Sequence, residues 1–224
     1  LLVSCKDKEG KNADELGYDK NEVSYALGVA IGASLEGVGL DIDFDAFQKG
    51  FTQSVMGQKL SVSPQEADSI IQTALYSVML KQAEVNSEEG LAFLSENAKK
   101  KGIKTTSSGL QYEVITEGSG LKPAKTDVVK VDYEGSLISG KVFDSSIERG
   151  EPVSFPLDRV IPGWSEGLQL MNVGSTYKLY IPAALAYGEQ GAGNAIPPNA
   201  TLICNVTLLG IEEPASAPPA FNLD

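Results

Sequence analysis

The chain of 224 residues predicts an α+β fold, in which an all-helical first part precedes a curved antiparallel sheet wrapped on one short central helix. Two observations carry this. Apolar residues recur at helical spacing up to Gly102 and alternate with polar residues after it. A single helical segment, Trp164 to Met171, interrupts the alternating runs after Pro162-Gly163. Strands with one apolar face must bury it, and a lone helix among antiparallel strands is what they fold around.

Residues 1–20 are polar and predict a flexible tether. The first helix begins at Asn21. Val23, Ala26, Leu27, Ala30, Ile31 and Leu35 share one face, and Gly28 and Gly32 lie four apart, which lets another helix approach closely. Gly37-Val38-Gly39 ends it. A second helix fits Asp43 to Met56, with Asp43 as N-cap and Phe44, Phe47, Phe51 and Val55 as its apolar stripe. Ser63-Pro64-Gln65-Glu66 then reads as a capping box with proline at the first helical position. The long helix behind it continues to Lys101, with Gly90 as a weak point and Gly102 as its stop. Three amphipathic helices make a thin core, so the apolar faces need another surface. A second copy of the chain supplies it, which predicts a homodimer through residues 21–80. Residues 21–102 thus form a helical dimerisation domain.

From residue 103 the pattern is that of half-buried strands. Leu110 to Val114 alternates, as do Val129 to Tyr133, Tyr177 to Ile181 and Leu202 to Leu208. Turn signals separate them at Ser139-Gly140, Arg149-Gly150 and from Gly188 to Pro198. This second domain ends near residue 212, and residues 213–224 are a Pro/Ala-rich tail predicted to be disordered.

Composition excludes several functions. The net charge is −12, spread over both halves, so a phosphate backbone is repelled and nucleic acid is not a partner. There is no histidine, which removes Ser-His and Cys-His catalysis and imidazole metal sites. No metal site and no cofactor is predicted. Gly188-Glu189-Gln190-Gly191-Ala192-Gly193 lacks the Lys-Ser/Thr of a phosphate loop and lies between strands. No stretch approaches a membrane span. Leu2-Val3-Ser4-Cys5 matches the end of a bacterial lipoprotein signal, so Cys5 is the expected lipidation site. That places the protein outside the cytoplasm, in the periplasm or at the outer membrane, with acyl chains as its one membrane contact.

Five signatures follow one another in the second half: Val131-Asp132-Tyr133-Glu134-Gly135, Gly140-Lys141-Val142-Phe143-Asp144-Ser145-Ser146, Val160-Ile161-Pro162-Gly163-Trp164, Leu185-Ala186-Tyr187-Gly188 and Ile196-Pro197-Pro198-Asn199-Ala200-Thr201-Leu202. In order and spacing they resemble the FKBP-type peptidyl-prolyl cis/trans isomerases over residues 105–212. The helical part, with its Ser24-Tyr25-Ala26-Leu27-Gly28 start, is similar to the dimerisation region of the macrophage infectivity potentiator type. The resemblance implies an aromatic pocket. Tyr133, Phe143 and Asp144 line one wall, and Arg149 tethers Tyr133 and Asp144. Val160 and Ile161 form an edge that binds a ligand carbonyl, Trp164 is the floor, Tyr187 donates a hydroxyl and Ile196 is a lid. Asp144, Tyr187 and Tyr133 are the implied catalytic residues. Phe155, Val153 and Cys204 join the substrate-binding set, the last two departing from the family pattern. Val153 stands where an aromatic is frequent, and Cys204 replaces a phenylalanine, which leaves the pocket roomier.

The implied partners are proline-containing unfolded or exported polypeptides, with macrolide-type inhibitors as further ligands. Such a site suffices for the chemistry. Resonance sets a barrier of ~18–20 kcal/mol to peptide-bond rotation, while the two X–Pro isomers lie within about 1 kcal/mol of one another. A dry pocket that favours the twisted, less polar amide lowers the barrier without a covalent step. The competing reading is a non-catalytic FKBP-like chaperone or peptide-binding module, motivated by Val153 and Cys204.

Overall fold

The computed structural model describes residues 17–212. These form two compact units, one ending at Val78 and one beginning at Met79. The expected lipidation site Cys5, most of the tether and the 213–224 tail lie outside the described residues.

The first unit contains α1 (Lys20–Leu35), α2 (Phe44–Val55) and the start of α3 (Pro64–Asn97). Each begins on a side-chain cap. Asp19 accepts from the amides of Asn21 and Glu22, so the helix starts one residue earlier than the apolar pattern suggests. Asp43 accepts from Asp45 and Ala46 at 3.0 Å each. The Ser63–Glu66 capping box closes in both directions, at 3.2 and 2.8 Å. Neither α1 nor α2 buries a single residue.

Helix α3 is continuous through Gly90, which is buried and does not break it. It stops at Asn97 rather than Lys101. The lysines that follow lie in a turn that ends on Gly102, held at φ +95°.

The second unit is one seven-stranded antiparallel sheet in the order β1 (Ile103–Thr105), β2 (Gln111–Thr116), β6 (Thr176–Ile181), β7 (Leu202–Glu212), β3 (Val128–Leu137) and β4 (Val142–Ser145), with β5 (Val153–Pro156) also paired to β3. Register shifts in three of these pairings bend the sheet. Its concave face wraps α5 (Pro162–Leu170), which sits where the one helical segment was predicted. Leu168, Leu179, Ile181, Val131, Val206 and Leu208 fill the space between, each without exposed surface. The opposite face is covered near Tyr180 by the end of α3. The Phe93 and Tyr180 rings lie 6.0 Å apart, Gln111 Nε2 donates to Leu94 O at 2.8 Å, and buried Asn97 donates to Gln111 Oε1 at 3.0 Å.

Candidate active site

A cavity of about 430 Å³ opens between α5 and the sheet. Strand β3 contributes Tyr133, β4 contributes Phe143 and Asp144, and β5 contributes Val153 and Phe155. Arg159, Val160 and Ile161 come from the turn before α5, and Trp164 from its first turn. Tyr187 comes from the loop after β6, and Leu202 and Cys204 from β7. Of the residues expected from sequence, the cavity thus gathers Tyr133, Phe143, Asp144, Val153, Phe155, Val160, Ile161, Trp164, Tyr187 and Cys204. Arg149 lies outside the lining, and its guanidinium bonds Asp144 and the Tyr133 hydroxyl. Ile196 does not line the cavity. It is 5% exposed within the core cluster that also holds Trp164, and paired backbone bonds join it to Ala192. Arg159 and Leu202 were not foreseen, since neither stands out from an ordinary turn or strand in the sequence.

Three strands set the polar wall. In register, Gly135 on β3 lies between Asp144 on β4 and Cys204 on β7. A side chain at Gly135 would meet the Phe143 ring at 2.6 Å, so the absence of a Cβ there lets that ring lie across the strand. A one-turn helix α4 (Ser146–Arg149) follows β4, capped by Ser145. Buried Ser146 ties the corner together, accepting from the Tyr133 amide and donating to Asp132 Oδ1, both at 2.9 Å.

This corner aims three groups at one another. The Tyr133 hydroxyl donates to Asp144 Oδ2, Arg149 Nη1 donates to Asp144 Oδ1, and Arg149 Nη2 donates to the Tyr133 oxygen at 3.1 Å. Burial alone would push the Asp144 carboxyl up. The hydrogen bonds from Tyr133 and Arg149 and the arginine's charge outweigh it and hold the group below the usual carboxylate value. Burial, then the Asp144 carboxylate, raises the Tyr133 phenol. Asp144 is therefore ionised and Tyr133 protonated at neutral pH. Tyr187 is raised chiefly by burial and also stays protonated as a donor.

The floor is aromatic. Tyr133 meets Trp164 edge-on, with centroids 4.9 Å apart, and Phe155 lies 5.4 Å from it at a tilt. The indole N–H points at the Cys204 sulfur at 3.5 Å. Burial pushes that thiol up to about 12, against a small opposing effect of the indole donor, so it is neutral and apolar in character. The cavity thus offers an apolar, aromatic lining with a fixed carboxylate and a hydroxyl donor at its rim. It has no nucleophile paired with a base, and no group of residues suited to a metal occurs among the described residues.

Two family profiles match the chain. One, described as FKBP-type peptidyl-prolyl cis-trans isomerase, covers residues 120–209. The other, described as the domain amino terminal to FKBP-type peptidyl-prolyl isomerase, covers residues 20–114. The probable FKBP-type peptidyl-prolyl cis-trans isomerase FkpA of Neisseria meningitidis is 45% identical over 207 residues, 88% of this chain and 76% of that protein. The outer membrane protein MIP of Legionella longbeachae is 40% identical over 211 residues, 91% of each chain. The crystal structure of FkpA from Escherichia coli superimposes with a TM-score of 0.71 at 38% identity, covering 88% of this chain and 98% of that one. With both halves matched and relatives aligned over most of their length, the chain belongs to the FKBP-type peptidyl-prolyl cis-trans isomerases that carry an amino-terminal helical domain.

Proposed function

We propose that the Trp164 cavity is where this isomerase binds and rotates the X–Pro bond, with the proline ring on the indole. The observation that carries the reading is the Tyr133–Asp144–Arg149 cluster at the rim of an otherwise apolar cavity. A planar amide is stabilised by charge separation, and moving it from water to an apolar lining removes part of that stabilisation. The twisted amide loses less, so the barrier falls. Asp144 and Tyr187 give polar contacts that fit the twisted form, and the Val160–Ile161 edge holds the flanking peptide. Macrolide-type inhibitors occupy the same cavity. In a proline-peptide isomerisation assay, Asp144→Asn lowers kcat/KM by about tenfold, as expected for losing ~1–1.5 kcal/mol of hydrogen bonding in the transition state. An unchanged rate with the fold intact would move the reaction elsewhere.

We further propose that the helical part pairs with a second copy through residues 21–80. Tyr25, Phe44, Val55 and Ile70 are 77%, 71%, 68% and 58% exposed, and helices that bury nothing have little to stabilise them alone. Two pockets per assembly would engage one unfolded client twice, which suits a chaperone acting on exported proteins. A setting outside the cytoplasm is supported by the relative called an outer membrane protein. The Leu2-Val3-Ser4-Cys5 motif supports lipid anchoring at Cys5. Among the described residues no helix is long and apolar enough to cross a membrane.

A further inference from the structure

The loop that carries Tyr187 is held from outside the cavity by helix α3. After Tyr187 the chain runs through residues 188–201 before entering β7, and three glycines in this stretch, Gly188, Gly191 and Gly193, take positive φ. Such a loop has much conformational freedom of its own. Within the loop, Ala192 and Ile196 exchange paired backbone bonds. The Asn199 amide donates to Gly188 O at 2.8 Å, closing the loop directly beside Tyr187. The same Asn199 reaches out to the helix, its side chain donating to Ala83 O at 3.3 Å. From the helix, Asn86 Nδ2 donates to Pro198 O at 2.7 Å. Gln82 donates to Asn86 Oδ1 at 2.8 Å, which turns the Asn86 amide so that its N–H faces the loop. One turn further on, a Cβ at Gly90 would lie 2.4 Å from Thr201 Oγ1, so a larger residue there would force the Thr201 side chain to shift.

Ala83, Asn86 and Gly90 are spaced to lie on one face of α3. That face meets a continuous segment, Pro198 to Thr201, whose next residues include the cavity-lining Leu202 and Cys204. Asn199 is the one non-glycine residue with positive φ among the described residues, at +54°. Asparagine enters the left-handed region more readily than most non-glycine residues, and such a conformation persists where its surroundings fix it. Here its two bonds, one to the helix and one to Gly188, do so.

We propose that Asn86 and Asn199 are positioning residues for isomerisation: helix α3 clamps the Pro198–Thr201 segment and, through Asn199 and Gly188, sets the place of the Tyr187 hydroxyl at the cavity. The proposal rests on the reading of that cavity as the reaction site. A helix that reads in sequence as part of the amino-terminal domain is thereby a working part of the isomerase pocket. Its effect is preorganisation, since the loop is ordered before the peptide arrives.

The test uses the full chain with two variants on opposite sides of the clamp. Asn86→Asp keeps the side-chain shape and the bond from Gln82 but sets a carboxylate against the Pro198 carbonyl. Asn199→Gly keeps the left-handed backbone and drops the bond to Ala83. Each is compared with Tyr187→Phe and with the corresponding double variant, and circular dichroism checks the fold. Each clamp variant lowers kcat/KM by about three- to tenfold, the loss expected for one hydrogen bond. It also speeds hydrogen exchange at the residue 199 amide. In the Tyr187→Phe background the clamp variants lower kcat/KM no further, because the group they position is already gone. Additive losses, or fast exchange at residue 199 with unchanged kcat/KM, overturn the proposal. If Tyr187→Phe is itself without effect, the Tyr187 role and the positioning role fall together, while the exchange data report separately whether the helix holds the loop.

Discussion

At the scale of single residues, Asp144 decides the polarity of the candidate site. It is the one carboxylate at the rim, and Tyr133 and Arg149 both donate to it. Because its folded pKa is depressed, the stability it contributes is present above the ordinary value of 3.8 and is lost as pH falls through the lower folded value. Denaturant melts of the parent and Asp144→Asn should therefore differ by a constant amount from neutral pH down to about pH 4 and converge below it. Cys204 works in the opposite sense. Its thiol is raised from 9.0 to about 12, so any stability linked to the neutral form is present below pH 9 and lost as pH rises toward 12. The family resemblance puts a phenylalanine at this position, and the thiol leaves part of the floor unfilled. Cys204→Phe is expected to lower KM for a proline peptide with little change in melting temperature, because the ring enters an existing cavity. Overpacking of a filled core would instead cost ~1–3 kcal/mol and appear in the melt.

At the scale of elements, caps and turns fix the helix ends. The Ser63–Glu66 box closes reciprocally at the start of α3, so Ser63→Ala should destabilise the protein by about 1 kcal/mol, read from denaturant melts. Much of this level was legible in the sequence. The Asp43 cap, the Ser63 box and the strands around Val129–Tyr133, Tyr177–Ile181 and Leu202–Leu208 all stand where periodicity placed them. Strands β1, β4 and β5 were not legible, because three or four residues are too few for an alternation to show. Gly90 was misread for a different reason. Helix propensity weighs glycine in isolation, whereas here a tertiary neighbour, Thr201, packs against it. Asn86 was invisible for the same cause, since a polar residue in mid-helix reads as a solvated face. Ile196 carries a family motif and is buried, with its backbone paired to Ala192.

At the scale of the whole molecule, the change of period at Gly102 marks the end of a helix, while packing assigns the last turns of that helix to the sheet. The apolar surface of the first unit makes the oligomeric state the quantity to measure. Light scattering should give twice the chain mass of 23.7 kDa. Phe44→Glu and Tyr25→Glu, which place charge on that surface, should return the monomer mass. A monomer mass for the parent chain would refute the pairing.

The chain has one tryptophan, and it is the floor of the cavity. Its indole N–H lies against a neutral thiol, a group that quenches indole emission on contact. Emission from the native protein is therefore expected to be weak, and it reports a single place. A peptide or inhibitor that parts Trp164 from Cys204 brightens it, so occupancy can be titrated by light alone, without a label and without turnover.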